Sequence, residues 1–153
     1  MSKEKSFKLK NADETLDIGF RFSKIIDKNL LIFLKGNLGA GKTTFVRGLI
    51  HGLGFQGRVK SPSYSLFEQY LLKFTVNHFD LYRFKSSDEW IDAGFNEFIN
   101  GHDVNLIEWP EMAENVLPKA DIILNFEHTE NDSRELIVIP ISDKGNECLS
   151  QLS

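Results

Sequence analysis

The sequence predicts an α/β fold, with a parallel core sheet, antiparallel strands added to it and helices flanking it. Three observations predict it. The unbroken apolar run "LLIFL" suits a strand covered on both faces. A glycine-rich loop and a helical pattern follow it directly. Two pairs of strand-like runs, "YSLFEQYLL" with "FTVNHFDLY" and "ADIILNFEH" with "ELIVIP", are separated only by short links. A chain of 153 residues, 41% hydrophobic and 26% charged, suffices for one domain (1–153) with its own core. Thirteen phenylalanines point to a partly aromatic core.

Taken in order, "SFKLKN" alternates weakly and reads as a short edge strand. "NADETLDIGFRFSKIIDK" reads as a helix, with Asn11 and Glu14 at capping-box spacing. Leu16, Phe20 and Ile26 form its buried stripe, widened by Phe22 and Ile25. "LLIFLKG" is a strand, and "KTTFVRGLIHGLG" is a helix ending at Gly52 or Gly54. The next two strands form a hairpin with a tight link near Lys73. "SSDEWIDAGFNEFIN" reads as a helix with start signals at Ser86 and Ser87 and a stop at Gly101. "DVNLIEW" is a strand, and two strands joined by the polar turn "TENDS" close the chain.

Charge and composition exclude several classes. Eighteen basic against 22 acidic residues give a net charge of −4, so no global basic field attracts nucleic acid. A local basic patch remains around Arg47, Arg58 and Lys60. The single Cys148 cannot form an internal disulfide and reads as a thiol in a reduced compartment. "MSKEKSFKLKN" lacks the apolar stretch of a signal peptide, and "NLLIFL" is too short to span a bilayer. The expected location is cytoplasmic, away from membranes. His51, His78, His102 and His128 are scattered without zinc spacing and read as structural or solvent-facing.

The segment Gly36-x4-Gly41-Lys42-Thr43 satisfies G-x-x-x-x-G-K-[ST] in its required context of strand, loop and helix. Gly36, Gly39 and Gly41 let the backbone turn so that consecutive N–H groups point at phosphate oxygens. The helix from Lys42 aims its positive end at the same anion. Lys42 reaches the β- and γ-phosphates, and the Thr43 hydroxyl ligates Mg²⁺. The fold is therefore expected to be of the P-loop NTPase type. A carboxylate at a neighbouring strand end completes such a site, and two qualify: Asp80, ending "VNHFD", and Glu108, ending "VNLIE". Either can hold the metal, directly or through water, or orient the attacking water. The guanine-selecting [NT]-K-x-D element is absent, which favours ATP. Trp109, beside Glu108, reads either as a reporter of nucleotide binding or as core.

Four motifs occur in order: "GNLGAGKTTFVRGL", "VKSPSYSLFEQY", "HFDLYR" and "IEWPE". Together they resemble the TsaE family (formerly YjeE), small bacterial P-loop ATPases that serve the formation of threonylcarbamoyladenosine on tRNAs reading codons that begin with A. The resemblance runs from about Asn11 to Pro140, and "LPKADIIL" and "SRELIVIP" fit the family's closing strands. It implies that Gly36, Asn37, Leu38, Gly39, Ala40, Gly41, Lys42, Thr43 and Thr44 bind ATP phosphates. It also implies that Thr43 and Glu108 hold Mg²⁺ and that Asp80 is the other acid of hydrolysis, with Lys42, Asp80 and Glu108 the catalytic set. Ser61, Pro62, Ser63 and Tyr64 match a switch-like loop facing the γ-phosphate, and Thr15 and Arg134 match positions near the base. Asn37 and Ser63 depart from the family's usual Asp and Thr; neither change removes a backbone donor or the hydroxyl.

The family resembles a switch that binds the TsaD–TsaB pair and resets it between turnovers through its ATP cycle, touching tRNA only through that complex. Two other readings compete. A small-molecule or nucleoside kinase needs an arginine-bearing lid and an acceptor site, and the chain has few arginines and no obvious lid. A binding module with vestigial hydrolysis is disfavoured by the presence of both Asp80 and Glu108.

Overall fold

The computed structural model describes residues 4–131 and 133–152. The first three residues of the leader segment, residue 132 within the "TENDS" turn and residue 153 lie outside them. The elements are β1 (Lys5–Leu9), α1 (Ala12–Phe22), β2 (Leu30–Lys35), α2 (Lys42–Gly52), β3 (Phe67–Leu71), β4 (Thr75–Asp80), α3 (Asp88–Asp92), β5 (Val104–Glu108), β6 (Ile122–His128), β7 (Arg134–Pro140) and α4 (Asp143–Leu149). They build one seven-stranded sheet in the order β1-β7-β6-β2-β5-β4-β3. β6, β2, β5 and β4 run parallel. β7 and β1 extend the sheet antiparallel on one side, and β3 on the other.

β2 lies at the centre of the parallel strands because its residues are apolar on both faces. Leu30, Ile32 and Leu34 join the core under α1 and α2, while Leu31 and Phe33 join a second core on the opposite face. That second core is aromatic: Phe79 packs against Phe67, Trp90, Phe95 and Phe98 with ring centroids 4.9, 5.0, 5.0 and 6.1 Å away. Among the described residues, no helix is long and apolar enough to cross a membrane.

Three local expectations are corrected. α1 buries Thr15, Ile18, Gly19 and Phe22, whereas Phe20 is 45% exposed and Leu16 only half-buried. The reason is the crossing with α2. A Cβ on Gly19 would lie 2.2 Å from the Phe45 carbonyl, and one on Gly48 2.1 Å from that of Leu16. The helices meet backbone to backbone through these glycines, and this contact rotates Phe20 outward. α1 also stops at Phe22, so Ile25 and Ile26 are buried from the turn beyond it. Asn11 caps the helix by accepting from Glu14 N–H at 3.0 Å, while the Glu14 carboxylate reaches back to Lys10 N–H at 2.8 Å.

The second correction concerns residues 86–100, which form no continuous helix. Gly94, at φ 75°, separates α3 from a 3-10 turn at Phe95–Phe98, and both pieces cover the aromatic core. The third is α4, a helix that lies beyond the last strand read from the sequence. Ser142 caps it through Gly145 N–H at 2.9 Å, and its Cys148 thiol, buried, donates to Ile25 O at 3.4 Å. Burial pushes that thiol's pKa up to about 11.

A polar ladder sets the register of β3, β4 and β5. The fully buried Asn77 donates to Asp103 Oδ2 at 2.9 Å and Asn105 Oδ1 at 3.1 Å, and accepts from Gln69 Nε2 at 2.9 Å. Asn77→Leu is expected to cost about 1–3 kcal/mol, because Asn105 Oδ1 stays buried without its donor. Urea unfolding checks this, and an unchanged midpoint would show the ladder to be energetically idle.

Candidate active site

The glycine loop leaves the C-terminal end of β2 and enters α2. Gly36, Gly39 and Gly41 have φ of 148°, 76° and 104°, a region that side chains disfavour. Gly36 is also spatially required, since a Cβ there would meet Phe126 O at 2.5 Å. Gly41 precedes α2 and offers no side-chain cap, so the first helical N–H groups receive no cap from its side chain. This strand, glycine loop and helix give the P-loop type of fold that the sequence predicts.

Lys42 opens α2. It is 4% exposed; its ammonium donates to Gly36 O and lies 3.9 Å from the centre of the Trp109 ring. Burial lowers its pKa, opposed by the charges of Glu108, Asp80 and Glu111. Trp109 reaches this position because its own backbone is left-handed, at φ 59°.

The two candidate acids end adjacent parallel strands, Asp80 directly beside Glu108 in register and Glu108 beside Leu34 of β2. Glu108 Oε2 accepts from Thr43 Oγ1 at 3.2 Å and from His78 Nε2 at 2.6 Å. Asp80 Oδ1 accepts from Tyr82 N–H at 2.9 Å, and its Oδ2 accepts from Ser63 Oγ at 3.3 Å. Burial raises the Asp80 pKa, the Tyr82 N–H opposes this, and the neighbouring Glu108 charge adds to it.

In the 61–64 loop, the Ser61 and Ser63 hydroxyls are 2.8 Å apart and Pro62 is buried. Arg83 donates to Ser63 O at 3.1 Å and lies 4.3 Å from the ring centre of Tyr64, which is 84% exposed. Asp80 and Arg83 therefore hold Ser63 from two sides. Arg134 donates to Gly39 O at 2.9 Å. It lies against Gly41 together with the Thr15 methyl, 3.1 and 3.4 Å from where a Cβ would stand. Thr15 itself is buried, and its hydroxyl donates to Asn11 O at 3.3 Å.

A cleft of about 260 Å³ unites Leu38, Gly39, Gly41, Lys42, Thr43 and Thr44 with Ser63, Asp80, Glu108 and Arg134. Ala40 is buried behind the loop, and Asn37 is exposed on its outer side. Ser61, Pro62, Tyr64 and Thr15 flank the cleft without lining it. Arg134 also borders an adjoining hollow of about 520 Å³ with Lys10, Thr129 and Ser133. Thr43 and Glu108 offer two hard oxygen donors, and no cluster of three His, Cys, Asp or Glu suited to a metal occurs among the described residues. That donor set fits Mg²⁺, which keeps several waters and takes phosphate oxygens as ligands. His78 and the Trp109–Lys42 stack are the site features missed in the sequence. A signal for His78 existed, since it precedes Asp80 by two residues and shares its face of β4.

The chain is similar to known proteins over most of its length. The family model "Threonylcarbamoyl adenosine biosynthesis protein TsaE" matches residues 9–136. A protein of Haemophilus influenzae named tRNA threonylcarbamoyladenosine biosynthesis protein TsaE is 38% identical over 144 residues, 90% of either chain. Its namesake in Treponema pallidum is 33% identical over 129 residues, 84% of this chain and 96% of that one. The crystal structure of Bacillus subtilis YdiB matches with a TM-score of 0.85 at 26% identity, covering 99% of this chain and 95% of that one.

Proposed function

The chain belongs to the TsaE family of threonylcarbamoyladenosine biosynthesis proteins, and we propose that it is a Mg²⁺-dependent ATPase. In this reading it binds the TsaD–TsaB pair in the cytoplasm, and its ATP cycle resets that pair between rounds of threonylcarbamoyladenosine formation. tRNA is met through the complex. The observation that carries the proposal is the convergence of Lys42, Thr43, Asp80 and Glu108 on one cleft at the C-terminal ends of β2, β4 and β5.

Loop N–H groups and Lys42 neutralise the β- and γ-phosphate charge. To do so, Lys42 exchanges the Gly36 carbonyl for phosphate oxygens. Thr43 and Glu108 would hold Mg²⁺, which when bound would supply positive charge against the phosphates. Asp80 orients the attacking water and takes its proton, and its raised pKa makes it a stronger base than an exposed carboxylate. Water oxygen bonds to the γ-phosphorus as the bond to the bridging oxygen breaks, releasing ADP and phosphate. Arg134 steers the nucleoside toward the hollow that it borders. The chain Asp80–Ser63–Arg83–Tyr64 runs from the cleft to an exposed ring, a route by which nucleotide state can alter a partner-facing surface.

The test is phosphate release from MgATP, alone and with the TsaD–TsaB pair. Slow turnover alone, changed by the pair, with a nucleotide-dependent complex is the expected result. Glu108→Gln should still bind ATP without metal, through the loop and Lys42, and lose turnover. Indifference to the pair would sink the switch reading, and undiminished turnover in Glu108→Gln would sink the assignment of the site.

A further inference from the structure

We propose that His78 is a positioning residue that fixes the Glu108 carboxylate, and through it the gain in nucleotide affinity that Mg²⁺ confers. The proposal rests on the ATPase reading of the cleft. The register pairs Asp80 with Glu108 and His78 with Leu106, so His78 is the diagonal neighbour of Glu108, within reach of a long side chain. Glu108 leans back along β5 to meet it, Nε2 to Oε2 at 2.6 Å, beneath the cleft where His78 has no exposed surface. The Thr43 hydroxyl donates to the same oxygen at 3.2 Å. Two donors on one oxygen fix the rotation of the carboxylate and leave the lone pairs of the other oxygen for a ligand.

The second ring nitrogen carries the argument further. His78 Nδ1 is buried with no hydrogen-bond partner. A carboxylate oxygen can only accept, so a proton on Nε2 matches Glu108 and a lone pair at Nδ1 is left unmatched. Nε2–H is therefore the donor, and the hydrogen bond to Glu108 is what this buried imidazole contributes. An apolar side chain would fill the same space without an orphaned nitrogen, so packing alone does not explain a histidine here. The Glu108 charge acts on the Lys42 ammonium. Without His78, only the Thr43 hydroxyl holds the carboxylate, which is then free to turn its second oxygen away from the place where a metal would be held.

The experiment compares His78→Leu, His78→Gln and His78→Asn with the parent chain. Calorimetric titration of the β,γ-imido analogue of ATP is run with Mg²⁺ and with chelator, and kcat for ATP is measured separately. His78→Leu should keep the parent's affinity in chelator and lose about 10–100-fold of the gain due to Mg²⁺, the range found for outer partners of metal ligands. The Gln amide reaches the place of Nε2 and should restore most of that gain and of kcat. The shorter Asn amide reaches only the place of Nδ1 and should not. A full Mg²⁺ gain in His78→Leu, an equal loss with and without Mg²⁺, or Asn performing as well as Gln would each overturn the proposal. If His78→Leu fails to fold, the contrast between Gln and Asn decides alone. If the parent shows the Mg²⁺ gain but releases no phosphate, the ATPase reading falls and His78 is still judged by calorimetry. A parent that gains nothing from Mg²⁺ overturns the role given to His78.

Discussion

Replacing Lys42 by Met is expected to lower phosphate release from MgATP by about 100–1000-fold, the range for removing one pre-placed donor to developing charge. The same variant should unfold no more easily than the parent. Lys42 is buried at the start of α2, and burial lowers its pKa despite three nearby carboxylates. Its charged form is thus held at a cost to the fold, and that cost is present at every pH below the lowered value. Met occupies a similar volume and packs its thioether on the Trp109 ring without that cost. What it cannot supply is the positive charge proposed to neutralise the β- and γ-phosphates. Thermal melting and phosphate release on one preparation check both halves. A variant that melts as the parent does but keeps more than about a tenth of its turnover would show that the phosphate charge is neutralised elsewhere.

The glycine loop between β2 and α2 was legible in the sequence because its backbone demands are local. Glycines at positions 36, 39 and 41 are demanded by backbone angles, and Lys42 and Thr43 follow from helical geometry. The two acids were legible as strand ends, because apolar runs mark where β4 and β5 stop. What remained hidden depends on contacts between distant segments. The buried face of α1 is set by Gly19 and Gly48 meeting the backbone of the other helix, which no amphipathic pattern within α1 records. α4 escaped because glycine and asparagine within seven residues weaken its helical pattern; it forms by packing, with Gly145 against the Asp121 carbonyl. His78 looked like one of four scattered histidines until the register of β4 against β5 set it diagonally across from Glu108. Trp109 reached Lys42 through a left-handed backbone conformation that is uncommon for its residue type.

Asp80→Asn is expected to act in opposite directions on turnover and on stability. With Asp80 as the proposed acceptor of the attacking water's proton, its loss should lower phosphate release by about 100–10,000-fold, as for other general bases. The melting temperature at neutral pH should instead rise by a few degrees. Asp80 is 5% exposed, and its pKa is raised from 3.8, by burial first and by the Glu108 charge as well. Between 3.8 and that raised value the folded chain binds more protons than the unfolded one, so stability falls as pH rises through this window. The penalty then persists to neutrality. Asn keeps an oxygen for the Tyr82 N–H and removes the charge beside Glu108, so the penalty disappears. The difference in melting temperature between the two proteins should therefore narrow as the pH is lowered, because the parent's Asp80 becomes protonated. Melting both across the acidic range tests this, and a pH-independent difference would mean that shape rather than charge separates them. Lys42 and Asp80 are then two instances of one arrangement. Each is held in an ionisation state that burial disfavours, so folding does not account for its residue type and the proposed phosphate chemistry does.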